Sequence, residues 1–475
     1  MKYRTESDSM GEIKIPAEMV YGASTQRAVN NFPLSNRRFT RPMIKALGLI
    51  KWAAALTNQE LGKLDSKLAK IIAQVSLEVA QGKYDAHFPI DIFQTGSGTS
   101  TNMNANEVIA NLANPKLGSK LGSKKPVHPN DHVNMGQSSN DVIPAAIHLA
   151  TALCIQGDLI PGLKILEKAF SKKVGEFKNI IKIGRTHLQD ATPVTLGQEF
   201  SGYAAQIKKS IVRLEQALEG LKELAIGGTA VGTGINTHPH FAKKVCEKLS
   251  TQTKIYFREA TNHFEAQSTK DACQFTSGAL KTLAASLMKI VNDLRWLSSG
   301  PRCAIQEIDL PTLQAGSSIM PGKVNPVIPE AVAQIAAQVI GNDAAITIGC
   351  QSGNFELNVM MPMIASNLIE SIELLASGSK LLAQKCVLGI TANPERCKEL
   401  VELSLSMVTS LAPVIGYDQA AKIAKEAYKS GKTIREVLTA QKLLPKKTLD
   451  KLLDPKSMLA PATRQSSSGG KGDSK

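Results

Sequence analysis

Aromatic side chains make up only 4% of this 475-residue chain, and two of them are tryptophan. A core so short of rings must be filled by Leu, Ile, Val, Ala and Met, which suits helices packed at close crossings. The seven cysteines, Cys154, Cys246, Cys273, Cys303, Cys350, Cys386 and Cys397, are odd in number, lie far apart and never form a CxxC. That argues against a disulfide framework or a zinc site, and the expectation is reduced thiols in a cytoplasmic protein. No apolar run reaches the roughly 18 residues of a membrane span. The opening MKYRTESDSMGEIKIP has neither an apolar h-region nor an Arg-rich amphipathic start.

The formal charge is +15 with a pI near 9.3, which invites a nucleic-acid reading. The lysines argue against it. Lys51, Lys63, Lys67 and Lys70 are spread along what look like exposed helix faces, and no stretch interleaves basic residues with aromatics. A basic average that aids solubility or draws in anionic substrates is the simpler account.

What is present is mostly helical patterning. Residues 1–40 contain Pro16 and Pro33 and read as short extended pieces. From Arg41 amphipathic runs dominate, first Met43 to Leu61 and then Ser66 to Gly82. In Glu199 to Ala225, apolar residues fall at Ile207, Ile211, Leu214, Leu218, Leu221 and Leu224, the seam spacing of packed helices. Ser268 to Ser298 and Pro329 to Ile346 are similarly long, and from Ile143 onward nearly everything reads as helix. Helices of that length imply a bundle that oligomerises. After about residue 390 the helices shorten, and the final RQSSSGGKGDSK reads as disordered.

Four polar stretches interrupt the pattern. Gly96 to Thr101 is glycine, serine and threonine before a helix starting near Asn102; it reads as an anion site or as ordinary capping. His128 to Pro144 packs two histidines, three asparagines, two aspartates and two serines into one span. Gly184-Arg185-Thr186-His187 is a third. The fourth, GSSIMPGKVNP from Gly316 to Pro326, admits no regular helix or strand. It combines small residues, a hydrophobic foot of Ile319, Met320 and Val324, and a cation and an amide in Lys323 and Asn325. Each stretch is rich in donors suited to carboxylate oxygens, and together they suggest a composite site.

The motifs GSSIMPGKVNP, GRTHLQDATP, QTGSGT, HPND, SSND and SGNFELNV, in that company, resemble the fumarase/aspartase superfamily. The likeness is closest to the class II fumarate hydratases and runs from about Ser7 to Met458. It implies a mainly α, three-domain fold with a central long-helix bundle that assembles into a tetrameric helical core. The expected domains are 1–138, 139–361 and 362–463, followed by a disordered tail, 464–475. It implies reversible hydration of fumarate to (S)-malate, a step of the tricarboxylic acid cycle, without metal or organic cofactor, in a homotetramer whose active sites are each shared by three subunits.

By the same resemblance Ser317 is the base, and His187 paired with Glu330 handles the proton of water or hydroxide. Ser97, Gly98, Thr99, Ser138, Ser139, Asn140, Thr186, Ser318, Lys323, Val324 and Asn325 bind substrate. Lys125, His128, Pro129, Asn130 and Asp131 match a peripheral carboxylate site, with Lys125 where some relatives carry arginine. His132, His238 and His240 read as local polar residues, and no metal ligand set is apparent. His187 separates the chain from the ammonia-eliminating aspartases, which resemble GRTQLQDAVP, and Gly322 stands where aspartases tend to show alanine. The flank Val327 to Ala331 looks more like the aspartase VVPE, so aspartate ammonia-lyase stays as the alternative.

Overall fold

Residues 2–461 are described by a computed structural model, and they are mainly helical, as expected. The tail 464–475 lies outside the described residues. The chain forms two units. One comprises residues up to 163, 209–286 and 334–378; the other comprises 164–208, 287–333 and 379–461.

In the first unit the alternating YRTESD and GEIKIP segments pair as an antiparallel hairpin, β1 (Tyr3–Asp8) and β2 (Gly11–Pro16). These are the extended pieces expected before residue 40. Helix α1 (Ala23–Asn31) follows, then α2 (Arg41–Glu60), whose Pro42 sits in the first turn where a missing N–H costs nothing. Helix α3 (Ser66–Ala80) starts at Asp65, whose carboxylate accepts from the Lys67 and Leu68 N–H groups. Where α2 meets α3 the contact requires Gly48. A Cβ there would stand 2.7 Å from Ala80 N and 2.8 Å from Ser76 O. The seam is built from Leu47, Ile50, Ala54, Ile72 and Val75, all without solvent exposure, so the aromatic-poor core takes the expected form.

Helix α4 (Thr99–Lys116) begins three residues earlier than its pattern suggests, because Gly98 at φ +70° supplies a left-handed N-cap. Helix α5 (Ser139–Cys154) continues through a π-turn into α6 (Ile160–Glu176). Helices α8 (Phe241–Thr253) and α9 (His263–Ser268) also belong to this unit. One expectation fails. Lys63, Lys67 and Lys70 are exposed, but Lys51 on α2 is fully buried, because two side-chain amides solvate its ammonium in place of water.

In the second unit a β-hairpin breaks the helical run expected from Ile143 onward: β3 (Ile181–Thr186) pairs antiparallel with β4 (Gln189–Thr195). The IKI alternation and the threonines and valine of QDATPVT favour the pleat. Ile183 anchors the hairpin in a core with Val401, Met407, Leu411, Ile423 and Leu438. Four of the scarce aromatics cluster here: Phe170, Phe177, Phe200 and Tyr203 pack edge-on or tilted with ring centroids 5.2–6.1 Å apart. Short helices, including α13 (Pro394–Leu403), Tyr417–Ser430, Ile434–Gln441 and Lys446–Leu452, close the described chain as the pattern indicates.

Five helices carry residues of both units: α6, α7 (Leu196–Leu221), α10 (Asp271–Leu297), α11 (Val327–Cys350) and α12 (Met361–Lys385). The α7 seam from Ile207 to Leu221 is buried as expected. Leu224 falls beyond the helix, in a two-residue parallel pairing of Glu223–Leu224 with Arg258–Glu259. Two stretches are long and apolar enough to cross a bilayer by length and composition alone. In Ser139–Glu176 72% of the apolar window is buried, as in any core helix; in Val327–Cys350 only 33% is.

Candidate active site

The QTGSGT and SSND stretches converge in the first unit. Gly98 turns the chain into α4, and Ser138 caps α5 through a capping box in which its hydroxyl accepts from Asn140 N–H and Asp141 accepts from Ser138 N–H. These two helix starts bring three hydroxyls into one chain. Ser97 Oγ lies 2.8 Å from Thr99 Oγ1, which lies 2.6 Å from Ser139 Oγ. Both helices aim the positive ends of their dipoles at this spot. The Asn140 side-chain amide donates to Ala230 O at 2.8 Å. The cluster is half-buried to buried, and Gly98 could not be replaced easily, since a Cβ would press on the Ile143 side chain at 3.0 Å.

The Gly316–Pro326 loop belongs to the second unit and has no regular structure, as its composition requires. Its base is clasped by Gly316 N–H donating to Lys323 O at 2.7 Å and by Asn325 Nδ2 donating to Gly316 O at 2.8 Å. Inside it, Ser317 Oγ accepts from the Ile319 and Met320 N–H groups at 3.2 and 3.1 Å. Two N–H donors on one hydroxyl oxygen favour negative charge there. Ser318, Lys323 and Val324 are exposed, and Glu330 lies half-buried in the first turn of α11.

His187 and Leu188 form the tip of the β3–β4 hairpin at φ +57° and +61°. This left-handed pair gives the tight two-residue turn between Thr186 and Gln189 and leaves His187 and Thr186 exposed. The strand behind them is fixed by Arg185, whose guanidinium makes two bonds to the fully buried Glu307 at 2.9 and 3.1 Å. Lys182 joins from the same strand, 2.7 Å from Glu199 and 3.3 Å from Glu307. Among the described residues no hydrogen bond joins His187 to Glu330 or either of them to Ser317.

A family model described as a lyase matches residues 11–341, and one described as the fumarase C C-terminus matches 407–460. A protein of Methylorubrum extorquens named fumarate hydratase class II is 50% identical over 97% of this chain and 97% of its own. One of Brucella suis with the same name is 52% identical over 96% and 99%. The chain belongs to the class II fumarate hydratase family. Two solved structures agree. A class II fumarase from Schistosoma mansoni is 40% identical with a TM-score of 0.93 over 96% of this chain and 99% of its own. A Brucella melitensis fumarate lyase:delta crystallin bound to cobalt is 45% identical, also at 0.93, over 97% and 100%.

Within this family framework the peripheral segment takes a definite shape. His128 Nδ1 accepts from the Asn130 and Asp131 N–H groups, both at 3.2 Å, and the His128 N–H donates to His132 Nδ1 at 2.8 Å. A cavity of about 480 Å³ is lined by His128, Pro129 and Asn130 together with Arg27, Lys124 and Asp8. Lys125 is exposed and is not among the lining residues; the neighbouring Lys124 is. Arg27 and Lys124 were not singled out from the sequence, because Arg27 lies about a hundred residues away and nothing in its surroundings marks it. Arg27 bonds Asp8 at 2.8 Å and holds that carboxyl below its usual range. Among the described residues no three His, Cys, Asp or Glu side chains come together as metal ligands.

Sequence reading also missed the buried groups that tie the two helix starts together. Lys51 Nζ donates to Asn134 Oδ1 and Gln137 Oε1, both at 2.9 Å. Asn102 Nδ2 donates to the same Asn134 oxygen at 3.2 Å. Asp141 is fully buried and accepts from the N–H groups of Ser138, Gly227 and Thr229 at 2.9–3.0 Å. Burial pushes its carboxyl up to about 6 against the pull of those donors. A signal was available for Lys51, a single cation inside the apolar run LGLIKWAAAL.

Proposed function

We propose that this chain is a fumarate hydratase that interconverts fumarate and (S)-malate without a metal or organic cofactor, as a cytoplasmic step of the tricarboxylic acid cycle. What supports the reading most is the chain of hydroxyls at two helix starts in a protein about half identical, end to end, to proteins named fumarate hydratase class II. Ser97, Thr99, Ser139 and Asn140 bind the carboxylates of the substrate, with Gly98, Ser138, Thr186, Ser318, Lys323, Val324 and Asn325 completing the binding set.

In the dehydration direction Ser317, as an alkoxide, takes the proton from the carbon next to a carboxylate. The electron pair enters that carboxylate to give an aci form, and Lys323 and Asn325 meet the added charge. The carbon–oxygen bond then breaks, and hydroxide leaves with a proton held by His187, whose basicity Glu330 supports. The Ile319 and Met320 N–H groups support Ser317 in this role, since an alkoxide needs fixed donors.

The working form is a homotetramer with each site drawn from three subunits, and each chain keeps the three-domain division 1–138, 139–361 and 362–463. Exposed Val212, Phe275, Ile340 and Ile348 on α7, α10 and α11 support assembly through the long helices, as does the largely unburied apolar α11. The peripheral segment around His128 serves as a second carboxylate site.

The test is to add the protein to fumarate at neutral pH, with EDTA and without ammonia, and follow the ultraviolet absorbance of the double bond. Rapid loss with malate as product is expected. No loss until ammonia is supplied would overturn the reading in favour of aspartate ammonia-lyase.

A further inference from the structure

We propose that Lys51 is a positioning residue for dicarboxylate binding: its buried ammonium locks the amides that hold the two helix starts carrying Thr99 and Ser139. The inference rests on the carboxylate-binding reading of those hydroxyls.

Lys51 is fully buried, and its two partners are neutral amides, not carboxylates. A purely structural position is better filled by an apolar side chain, because an ammonium taken out of water without an anionic partner is costly. Burial accordingly pushes its ammonium down to about 7, while the charge of Asp141 on α5 favours the protonated form.

The two amides are oriented by this contact. With both oxygens turned to Lys51, Asn134 Nδ2 donates to Gln137 O at 3.1 Å, and Gln137 Nε2 donates to the Val133 and Met135 carbonyls at 3.1 Å. That sets the turn leading into Ser138, the cap of α5. The Asn134 oxygen also takes Asn102 Nδ2 from the first turn of α4. One cation thus ties both helix starts whose hydroxyls meet at 2.6 Å. That holds the hydroxyls and N–H groups of both helix starts in one geometry before a carboxylate arrives, which removes ordering cost at binding.

The experiment compares the unmutated protein with Lys51→Met, reading the Kd of succinate by calorimetry and KM and kcat for fumarate. Succinate has no double bond to hydrate, so it reports binding alone. In Lys51→Met the succinate Kd and the fumarate KM are expected to rise about tenfold, with kcat at saturation within about threefold, the pattern of lost uniform binding. A role in folding only would lower thermal stability and leave Kd unchanged, and that result overturns the inference. Should Lys51→Met fail to fold, Gln137→Ala decides. It cuts the chain at a half-exposed residue, and a raised Kd supports the inference while an unchanged Kd overturns it. Failure of the unmutated protein to bind succinate would overturn the carboxylate reading itself, and the inference with it.

Discussion

At the starts of α4 and α5 the hydroxyls of Ser97, Thr99 and Ser139 already touch one another and rest on capped helix ends, with Lys51 and Asp141 wholly out of solvent. The Gly316–Pro326 loop has the opposite build. Ile319 is 83% exposed, Lys323 reaches into solvent, and the loop is held by a clasp at its base and two N–H groups on Ser317. Donors that recognise charge present in the ground state gain from rigidity, which removes ordering cost at binding. On the proposed reading, the serine of this loop acts as an alkoxide, a role that needs water excluded from it when substrate is bound. The first region then only recognises, whereas the loop both binds, through Ser318, Lys323, Val324 and Asn325, and takes the carbon-bound proton.

Substitutions should separate the two. Ser317→Ala is expected to lower kcat by about 10³-fold, read from initial rates at saturating fumarate, with the succinate Kd unchanged. His187→Gln should cost about 10²-fold in kcat, read from the same initial rates, with the succinate Kd unchanged. Ser139→Ala reverses the pattern, with KM up about tenfold and kcat little changed.

Gly322→Ala is subtler. Gly322 sits at φ +83° with open space where a Cβ would go, so the cost is backbone strain of about 1 kcal/mol and a few-fold loss of kcat/KM, with no steric clash.

The smallest effect lies away from both regions. Lys244 and Lys248 hold the Glu60 carboxyl down to about 2 from its ordinary 4.5. The stability it contributes is fully present above pH 4.5 and is lost as pH falls from there through about 2. In acid unfolding, the stability gap between the unmutated chain and Lys244→Ala/Lys248→Ala should hold above pH 4.5 and close as pH falls from there through about 2.

Much of this was readable from local pattern. Apolar spacing marks α2 and α3 to within two residues, the small and polar composition of Gly316–Pro326 excludes regular structure there, and the motifs carry the family. What escaped depends on partners distant in sequence. The β3–β4 hairpin becomes stable only when Ile183 finds a core made by residues beyond 400. Lys51 looks like another solvated lysine until Asn134 and Gln137, more than eighty residues on, supply its acceptors. Thr99 starts α4 because Gly98 can take a left-handed conformation, whereas apolar spacing registers the helix only from Asn102.

The most direct test is the hydration rate of Ser317→Ala at saturating fumarate, measured on protein that binds succinate with the Kd of the unmutated chain. Binding retained with turnover lost is the predicted result. Turnover retained in Ser317→Ala would contradict the assignment of the chemistry to the Gly316–Pro326 loop.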